Sequence, residues 1–244
     1  MITLCCPSRG RPELAKRMYD KAIEFCENKK NIEILLYVNE DDQFLSKYLS
    51  LFHKLPCVKV IVGPHQSPSF SWNQLALRAK HDLVCLIGDD VQIETPHWEK
   101  IIKHHFDSVA DKILMLVPST GRPRGYTESQ WNMKKIYYCK KDETLPAPHY
   151  VIHKNWLNTL GYLCPPQFWH FYVDTYTQNI ARRIKRCLYV PELVFKVKKI
   201  IDNTAVQVRS HLNIRKRDDF VWQTCQRHMQ SDITALQDFI KNYN

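Results

Sequence analysis

No apolar run in this 244-residue chain is long enough to cross a bilayer. Runs such as residues 83–87 and 113–117 are of strand length, against the roughly 20 residues a spanning helix needs, so no membrane span is expected. No C-x-x-C pair occurs among the nine cysteines, and an odd count leaves one unpaired in any intramolecular disulfide scheme. Zinc ribbons and disulfide frameworks are therefore not expected, and all nine read as reduced thiols. Cys5 and Cys6, adjacent in a predicted strand, should point to opposite faces, and Cys85 should be a small buried hydrophobe. No G-x-G-x-x-G follows the first strand and no G-x-x-x-x-G-K-[ST] appears, which removes a dinucleotide site and the usual P-loop. No basic segment precedes the strand at residues 2–6, so a secretory leader is not expected and the predicted location is the cytoplasm. Internal repeats and low-complexity tracts are absent as well.

What remains is a globular composition. With 44% hydrophobic and 25% charged residues the chain has material for a sizeable core, which excludes disorder, collagen and coiled coil. Residues 1–120 alternate strand and helix patterns. Apolar strands are predicted at 2–6, 32–38, 58–62, 83–87 and 113–117. The helices between them are marked by Pro12 with Leu14, Met18, Ala22 and Phe25, by Leu45, Leu49 and Phe52 on one face, by Ser71 as a cap, and by Pro96 as an opening residue. Such alternation predicts an α/β fold, a mostly parallel sheet with helices on both faces. Beyond Pro118 the pattern is irregular, with a helix predicted over 174–186, a short strand pair over 188–197 and a C-terminal helix over 218–242. No linker-like break divides the chain, so one domain over 1–244 is expected, with halves 1–120 and 121–244.

In open α/β sheets ligands sit beyond the carboxyl ends of the strands. Strand one is followed by Ser8, Arg9 and Arg11, strand two by Asn39, Glu40, Asp41 and Asp42, strand three by a loop leading to Trp72 and Asn73, and strand four by Gly88, Asp89 and Asp90. Cations and carboxylates thus converge on one edge. Adjacent carboxylates beside a glycine suit a hard divalent cation, Mg2+ or Mn2+, completed by phosphate oxygens. Two roles are open at this point, since aspartates also terminate strands and cap turns.

The ordered set of motifs resembles a family. Pro-Ser-Arg-Gly-Arg-Pro (7–12), an acidic end to strand two, Trp72-Asn73, Leu-Ile-Gly-Asp-Asp-Val (86–91) and Thr-Pro-His-Trp (95–98) look like nucleotide-sugar glycosyltransferases of the GT-A fold, family 2 type, including small bacteriophage enzymes. His-Phe-Tyr-Val-Asp (170–174) and Tyr-Val-Pro-Glu (189–192) extend the likeness. The resemblance implies a Rossmann-like GT-A sheet, a Mn2+ or Mg2+ cofactor and a nucleoside diphosphate sugar donor, UDP-sugar favoured. It places Ser8, Arg9, Arg11, Asn39, Glu40, Asp41, Trp72, Asn73 and Asp89 on the donor, Asp90 and His211 on the metal, and Asp174 as the general base of an inverting transfer. Departures are visible: Gly88 stands where the usual Asp-x-Asp has its first carboxylate, and Asn39 where an aspartate often meets uracil. Two roles remain open for Asp174, base or N-cap of the following helix, and two for His211, metal ligand or surface residue.

Eleven Lys and Arg lie between residues 182 and 217, among them Arg182, Arg183, Arg215, Lys216 and Arg217, against only Glu192 and Asp202; they account for nearly all of the net +10. With Phe168, Trp169, Phe171 and Tyr172 just upstream, the segment suits a polyanionic acceptor carrying exposed bases. Joined to the resemblance, this predicts transfer to the 5-hydroxymethyl group of a modified pyrimidine in phage DNA, in the host cytoplasm. The alternatives are a surface polysaccharide, lipid-linked glycan or protein acceptor, and a non-catalytic nucleic-acid-binding protein on the same scaffold. A solvated basic face is the plain reading of the charge itself.

Overall fold

The computed structural model describes residues 1–121, 147–198 and 212–243. Eight strands form one sheet in the order β3-β2-β1-β4-β7-β6-β8-β5. They are β1 (Ile2–Pro7), β2 (Ile32–Asn39), β3 (Val58–Gly63), β4 (Leu83–Leu86), β5 (Val91–Ile93), β6 (Met115–Ser119), β7 (Tyr150–His153) and β8 (Cys187–Val197). The half formed by β3, β2, β1 and β4 is parallel, as the strand and helix alternation predicts. Next to it β7 runs antiparallel to both β4 and β6.

Period-two side-chain alternation splits the apolar residues into two buried layers. One face carries Leu4, Cys6, Ile34, Leu36 and Cys85 beneath α1 (Pro12–Glu24), α2 (Leu45–Phe52) and α4 (Trp98–Asp107). The other carries Cys5, Leu35, Val84 and Ile152 beneath α3 (Pro68–Arg78), α5 (Lys154–Leu160), α6 (Val173–Arg183) and α8 (Gln226–Tyr243), with α7 (Leu212–Thr224) preceding α8. Cys5 and Cys6 do face opposite layers, and the cysteines of the described residues are all free thiols.

The sheet has to curl. Leu86 ends β4 and Val91 begins β5, yet these strands stand fourth and eighth in the sheet. Five residue steps reach at most about 18 Å, four strand spacings of a flat sheet need about 19 Å, and the connection is folded besides, with the Val91 N–H 3.4 Å from Gly88 O. Closure therefore brings β5 and β8 around beside the end of β4, where Asp90 O accepts from Lys198 N–H at 2.9 Å. Residues 88–90 end up at the meeting point of the two halves.

Several element readings change. The pair predicted over 188–197 is one strand, β8, parallel to β6 as far as Val190 and antiparallel to β5 from Phe195. Pro191 has no N–H to give the ladder, and the register jumps there from Pro118↔Val190 to Ser119↔Val194, so the strand bulges instead of ending. Ser67, not Ser71, caps α3: its Oγ accepts from Phe70 N–H at 3.1 Å, and Pro68 fills the first helical position. On α2 the buried residues are Tyr48 and Phe52, while Leu49 is exposed. The C-terminal helix begins earlier than residue 218 and is two helices, α7 and α8, joined at Cys225. Short β5 carries Val91 and Ile93 into the core and was not evident as a strand.

Trp98 anchors the first layer. It is fully buried, its Nε1 donates to Ala22 O at 3.0 Å, and it meets Phe195 edge-on with centroids 6.2 Å apart. Trp98→Ala should cost about 3–5 kcal/mol, seen as a lower urea midpoint with little change in slope.

Candidate active site

The carboxyl ends of β1, β2 and β4 open into a cleft of about 850 Å³ whose lining includes Ser8, Arg9, Arg11, Asn39, Trp72, Asp89, Asp90 and Asp174. Asp89 is the buried centre of the donor-side wall. Its Oδ2 accepts from Ser8 Oγ at 2.6 Å and its Oδ1 lies 3.3 Å from Arg11 Nη1. Ser8 has one hydroxyl proton, given to Asp89, so the 2.6 Å contact between Ser8 Oγ and Tyr48 Oη is a donation from Tyr48. Tyr48 in turn accepts from Arg11 N–H at 2.9 Å. A relay of hydrogen bonds thus joins the loop after β1, helix α2 and the end of β4. Burial pushes the Asp89 carboxyl up to about 6, with Asp90 adding to the rise and the Ser8 hydrogen bond and Arg11 charge opposing it.

The acidic run after β2 divides into separate duties. Asn39 lines the cleft and spends its Nδ2 on Pro64 O at 3.2 Å, leaving the amide oxygen as an acceptor. Tyr37 Oη donates to the same carbonyl at 2.9 Å, and Gly63 makes room for that ring, since a Cβ there would stand 2.4 Å from Tyr37 Oη. Glu40 is exposed and outside the lining. Asp41, also outside it, holds Arg9 at 2.5 and 3.1 Å, and that guanidinium keeps the Asp41 carboxyl below its ordinary value. Asp42, buried, accepts from Gly10 N–H at 2.7 Å and Phe44 N–H at 2.8 Å. Gly10, at φ +70°, adopts the left-handed turn this contact requires. Glu40 and Asp41 therefore do not face the cleft as the resemblance implies.

On α3, Trp72 lines the cleft and donates from Nε1 to Ile87 O at 3.3 Å, bracing the turn that carries the two aspartates. Asn73 points elsewhere. Its Oδ1 accepts from Leu163 and Cys164 N–H at 2.9 and 2.8 Å and its Nδ2 donates to Cys164 O at 2.8 Å, so the amide is consumed in tying α3 to the 161–164 turn. Gly88 has a packing reason for being glycine: a Cβ there would lie 2.8 Å from Asp90 Oδ1 and 3.5 Å from His149 Cε1.

Asp174 stands in the first turn of α6 and reaches the cleft. The N-cap is Tyr172, not Asp174, whose Oδ1 accepts from Thr175 N–H at 2.8 Å. Tyr172 has φ +66°, a conformation that costs a bulky residue energy and must be imposed from outside. Helix α7 imposes it. Asp218, with no exposed surface, accepts from the backbone N–H of Trp169, His170 and Phe171 at 2.9, 2.9 and 2.8 Å. Tyr172 Oη donates to Asp219 at 2.6 Å, and its ring stacks on Trp222 with centroids 5.0 Å apart and planes at 16°.

The basic residues are placed differently from the polyanion expectation. Arg215 pairs with Asp219 at 3.0 Å, donates to Tyr172 Oη at 3.0 Å and covers the Phe171 ring at 4.7 Å. Arg217 lies 3.3 Å from Asp218 and covers Trp169. Arg186 pairs with Asp111 at 2.8 Å and Lys196 with Glu94 at 3.1 Å. Arg182 and Arg183 occupy the last turn of α6, about 12 Å along the helix from Asp174. Lys216 and Arg183 are exposed. His211 lies outside the described residues.

Tyr48 and Asp218, which brace the cleft from behind, and His149, on its wall, escaped the sequence reading, and His170 entered it only as the first residue of the 170–174 motif. Tyr48 sat one position off the expected apolar face of α2, and Asp218 was taken only for a helix start. The two histidines line the cleft, and each has an Nδ1 with no hydrogen-bond partner. Burial pushes His149 down to about 4 and lowers His170, which Asp218 and Asp174 partly offset.

The glycosyl transferase family 2 profile matches residues 3–172, more than two thirds of the chain. The chain belongs to glycosyl transferase family 2. The match takes in the donor wall and ends two residues before Asp174. No curated protein matches the sequence significantly. Among solved structures, this family 2 chain is similar to a mannosyltransferase from Pyrobaculum calidifontis in complex with GDP-Man and Mn2+, with a TM-score of 0.64, 12% identity and coverage of 97% of this chain and 74% of that one. It is similar also to S. aureus TarS 1-349 in complex with UDP-GlcNAc, with a TM-score of 0.63, 12% identity and coverage of 84% and 60%. The chain thus spans about 60% of the length of that TarS fragment. At such identity the likeness establishes the GT-A fold.

No helix among the described residues is long and apolar enough to cross a membrane. Asp218→Ala would leave three backbone donors of the 169–171 loop unpaired, at about 1–3 kcal/mol each before relaxation. The expected result is a loss of several kcal/mol in urea unfolding and a change in tryptophan emission, since Trp169 and Trp222 report on this loop.

Proposed function

We propose that the protein transfers a glycosyl group from a nucleoside diphosphate sugar to an acceptor hydroxyl, with 1–120 handling the donor and 121–244 the acceptor within one domain. The observation that carries this reading is the meeting of Asp90, from the end of β4, and Asp174, from the start of α6, in one cleft of a family 2 chain. Two solved structures it resembles contain UDP-GlcNAc and GDP-Man, in keeping with a nucleoside diphosphate sugar, and a UDP-sugar is the donor we favour. Asn39 offers its free amide oxygen to a base N–H, and Ser8, Arg11 and Trp72 shape the wall along which ribose and diphosphate lie.

The residues present fit a divalent cation. Mg2+ and Mn2+ are commonly held by one or two carboxylates with phosphate oxygens completing the shell. Asp90 reaches the cleft, and the missing Cβ of Gly88 leaves its Oδ1 room. Among the described residues no three side chains form a ready-made metal cluster, so the diphosphate would complete the site, with His211 a further candidate ligand. When bound, the cation neutralises charge on the departing diphosphate. Asp174 accepts the proton of the acceptor hydroxyl as its oxygen attacks the anomeric carbon from the face opposite the leaving group, inverting the centre.

Asp90→Asn should abolish transfer and weaken UDP binding in Mn2+ by about tenfold or more, measured by calorimetry; unchanged affinity would remove Asp90 from the metal. Asp174→Asn should lower turnover by about 10²–10⁴ while UDP affinity stays within twofold. Near-normal turnover would mean that the base lies elsewhere.

For the acceptor, we propose the hydroxymethyl group of a modified pyrimidine in DNA, supported by the basic segment and the exposed Lys216 and Arg183. A glycan hydroxyl is the second reading, favoured by the ion pairing of Arg215, Arg217, Arg186 and Lys196, which reduces the charge left for phosphates. A DNA acceptor predicts binding that weakens with salt, and Lys216→Glu should reduce the log-log slope by about one unit. Salt-independent binding with transfer only to glycans selects the second reading.

A further inference from the structure

Seven buried side-chain polar atoms of the described residues have no hydrogen-bond partner, and they belong to Arg17, His81, Glu99, His149, Trp156, Gln167 and His170. Only the two histidines line the cleft, and His149 is the more deeply buried, with 7% of its surface exposed. Buried polar atoms are nearly always paired, and leaving one unpaired costs about 1–3 kcal/mol. An unpaired one on the wall of a ligand cleft calls for a ligand.

Its position narrows what that ligand group is. In the antiparallel ladder Leu86 pairs with Tyr150, so continuing the register one residue sets His149 across from Ile87, next to Gly88. A Cβ on Gly88 would touch both Asp90 Oδ1 and the His149 ring, so the imidazole borders the space beside the carboxylate proposed to hold the diphosphate. The base end is argued to lie at Asn39 on β2, and in the order β2-β1-β4-β7 the histidine strand is three spacings away, about 14 Å. A donor laid from β2 across β4 brings neither base nor ribose to β7, but the group beyond the diphosphate. A metal role for His149 would weaken nucleotide and sugar nucleotide alike, which separates it from a contact to the sugar.

We infer that His149 is a specificity-determining residue that hydrogen-bonds a hydroxyl of the transferred sugar. The inference rests on the donor reading above and adds the residue that distinguishes one sugar from another. An imidazole offers one donor and one acceptor, which suits a hydroxyl, and a site built for a hydroxyl rejects analogues that lack or misplace it.

The test titrates the full chain, in Mn2+, with UDP, UDP-GlcNAc, UDP-glucose, GDP and GDP-mannose, comparing wild type with His149→Phe and His149→Asn. Phe fills the ring volume without polar atoms, and Asn keeps a polar atom near the Nδ1 position. For whichever sugar nucleotide wild type prefers, His149→Phe should weaken binding about tenfold or more and flatten the preference among sugars. The matching sugar-free nucleotide should bind within twofold of wild type, and His149→Asn should recover most of the loss. Equal loss of nucleotide and sugar nucleotide in His149→Phe, or no loss of either, overturns the assignment. A wild-type chain that binds neither UDP nor GDP defeats the donor reading itself, and this inference with it.

Discussion

One carboxylate withdrawn from water holds the donor side together. Asp89 is 6% exposed, and charge so placed must be compensated by neighbours. Ser8, Arg11 and, through Ser8, Tyr48 supply the compensation, and they arrive from the loop after β1 and from α2. The ends of β1 and β4 are fixed relative to one another by this exchange, and with them the turn that presents Asp90. Remove that charge and the loops after β1 lose their common partner.

The acceptor side repeats the device with different parts. Asp218 is sealed by three backbone N–H groups and Arg217, and the segment it grips leads through the left-handed Tyr172 into α6 and Asp174. On the donor wall Asp89 is held by protein partners and lines the cleft beside Asp90, while on the acceptor wall Asp218 is spent on architecture and Asp174 lines the cleft. That division follows from solvation. A carboxylate saturated by protein donors has little left for a ligand, as with Asp218, while Asp90 and Asp174 both line the cleft.

Charge counted along the chain and charge available at the surface are different quantities. The segment with eleven cations against two carboxylates looks like a platform for phosphates, yet Arg186, Lys196, Arg215 and Arg217 find carboxylates contributed by Asp111, Glu94, Asp219 and Asp218. Asp111 and Glu94 are distant from the segment in sequence, and Asp218 and Asp219 fall just past its end. Guanidinium groups over Phe171, Tyr172 and Trp169 stiffen the aromatic loop in addition.

By itself the sequence determined the elements whose signal is local. Strands of apolar residues, a helix opened by Pro12 and the carboxylates after strand four were readable because period, capping and turn chemistry act over a few residues. The ordered motifs carried the family, as the match over residues 3–172 bears out. What tertiary structure alone decided was which polar group faces whom. Ser8 and Asp89 are 81 positions apart, Trp169 and Asp218 are 49 apart, and Asn73 and Cys164 are 91 apart. Nothing local marks Asn73 as consumed or His149 as unpaired. A side chain becomes ligand-facing or architectural only when the curled sheet brings its partners within about 3 Å, because hydrogen bonds end at that range.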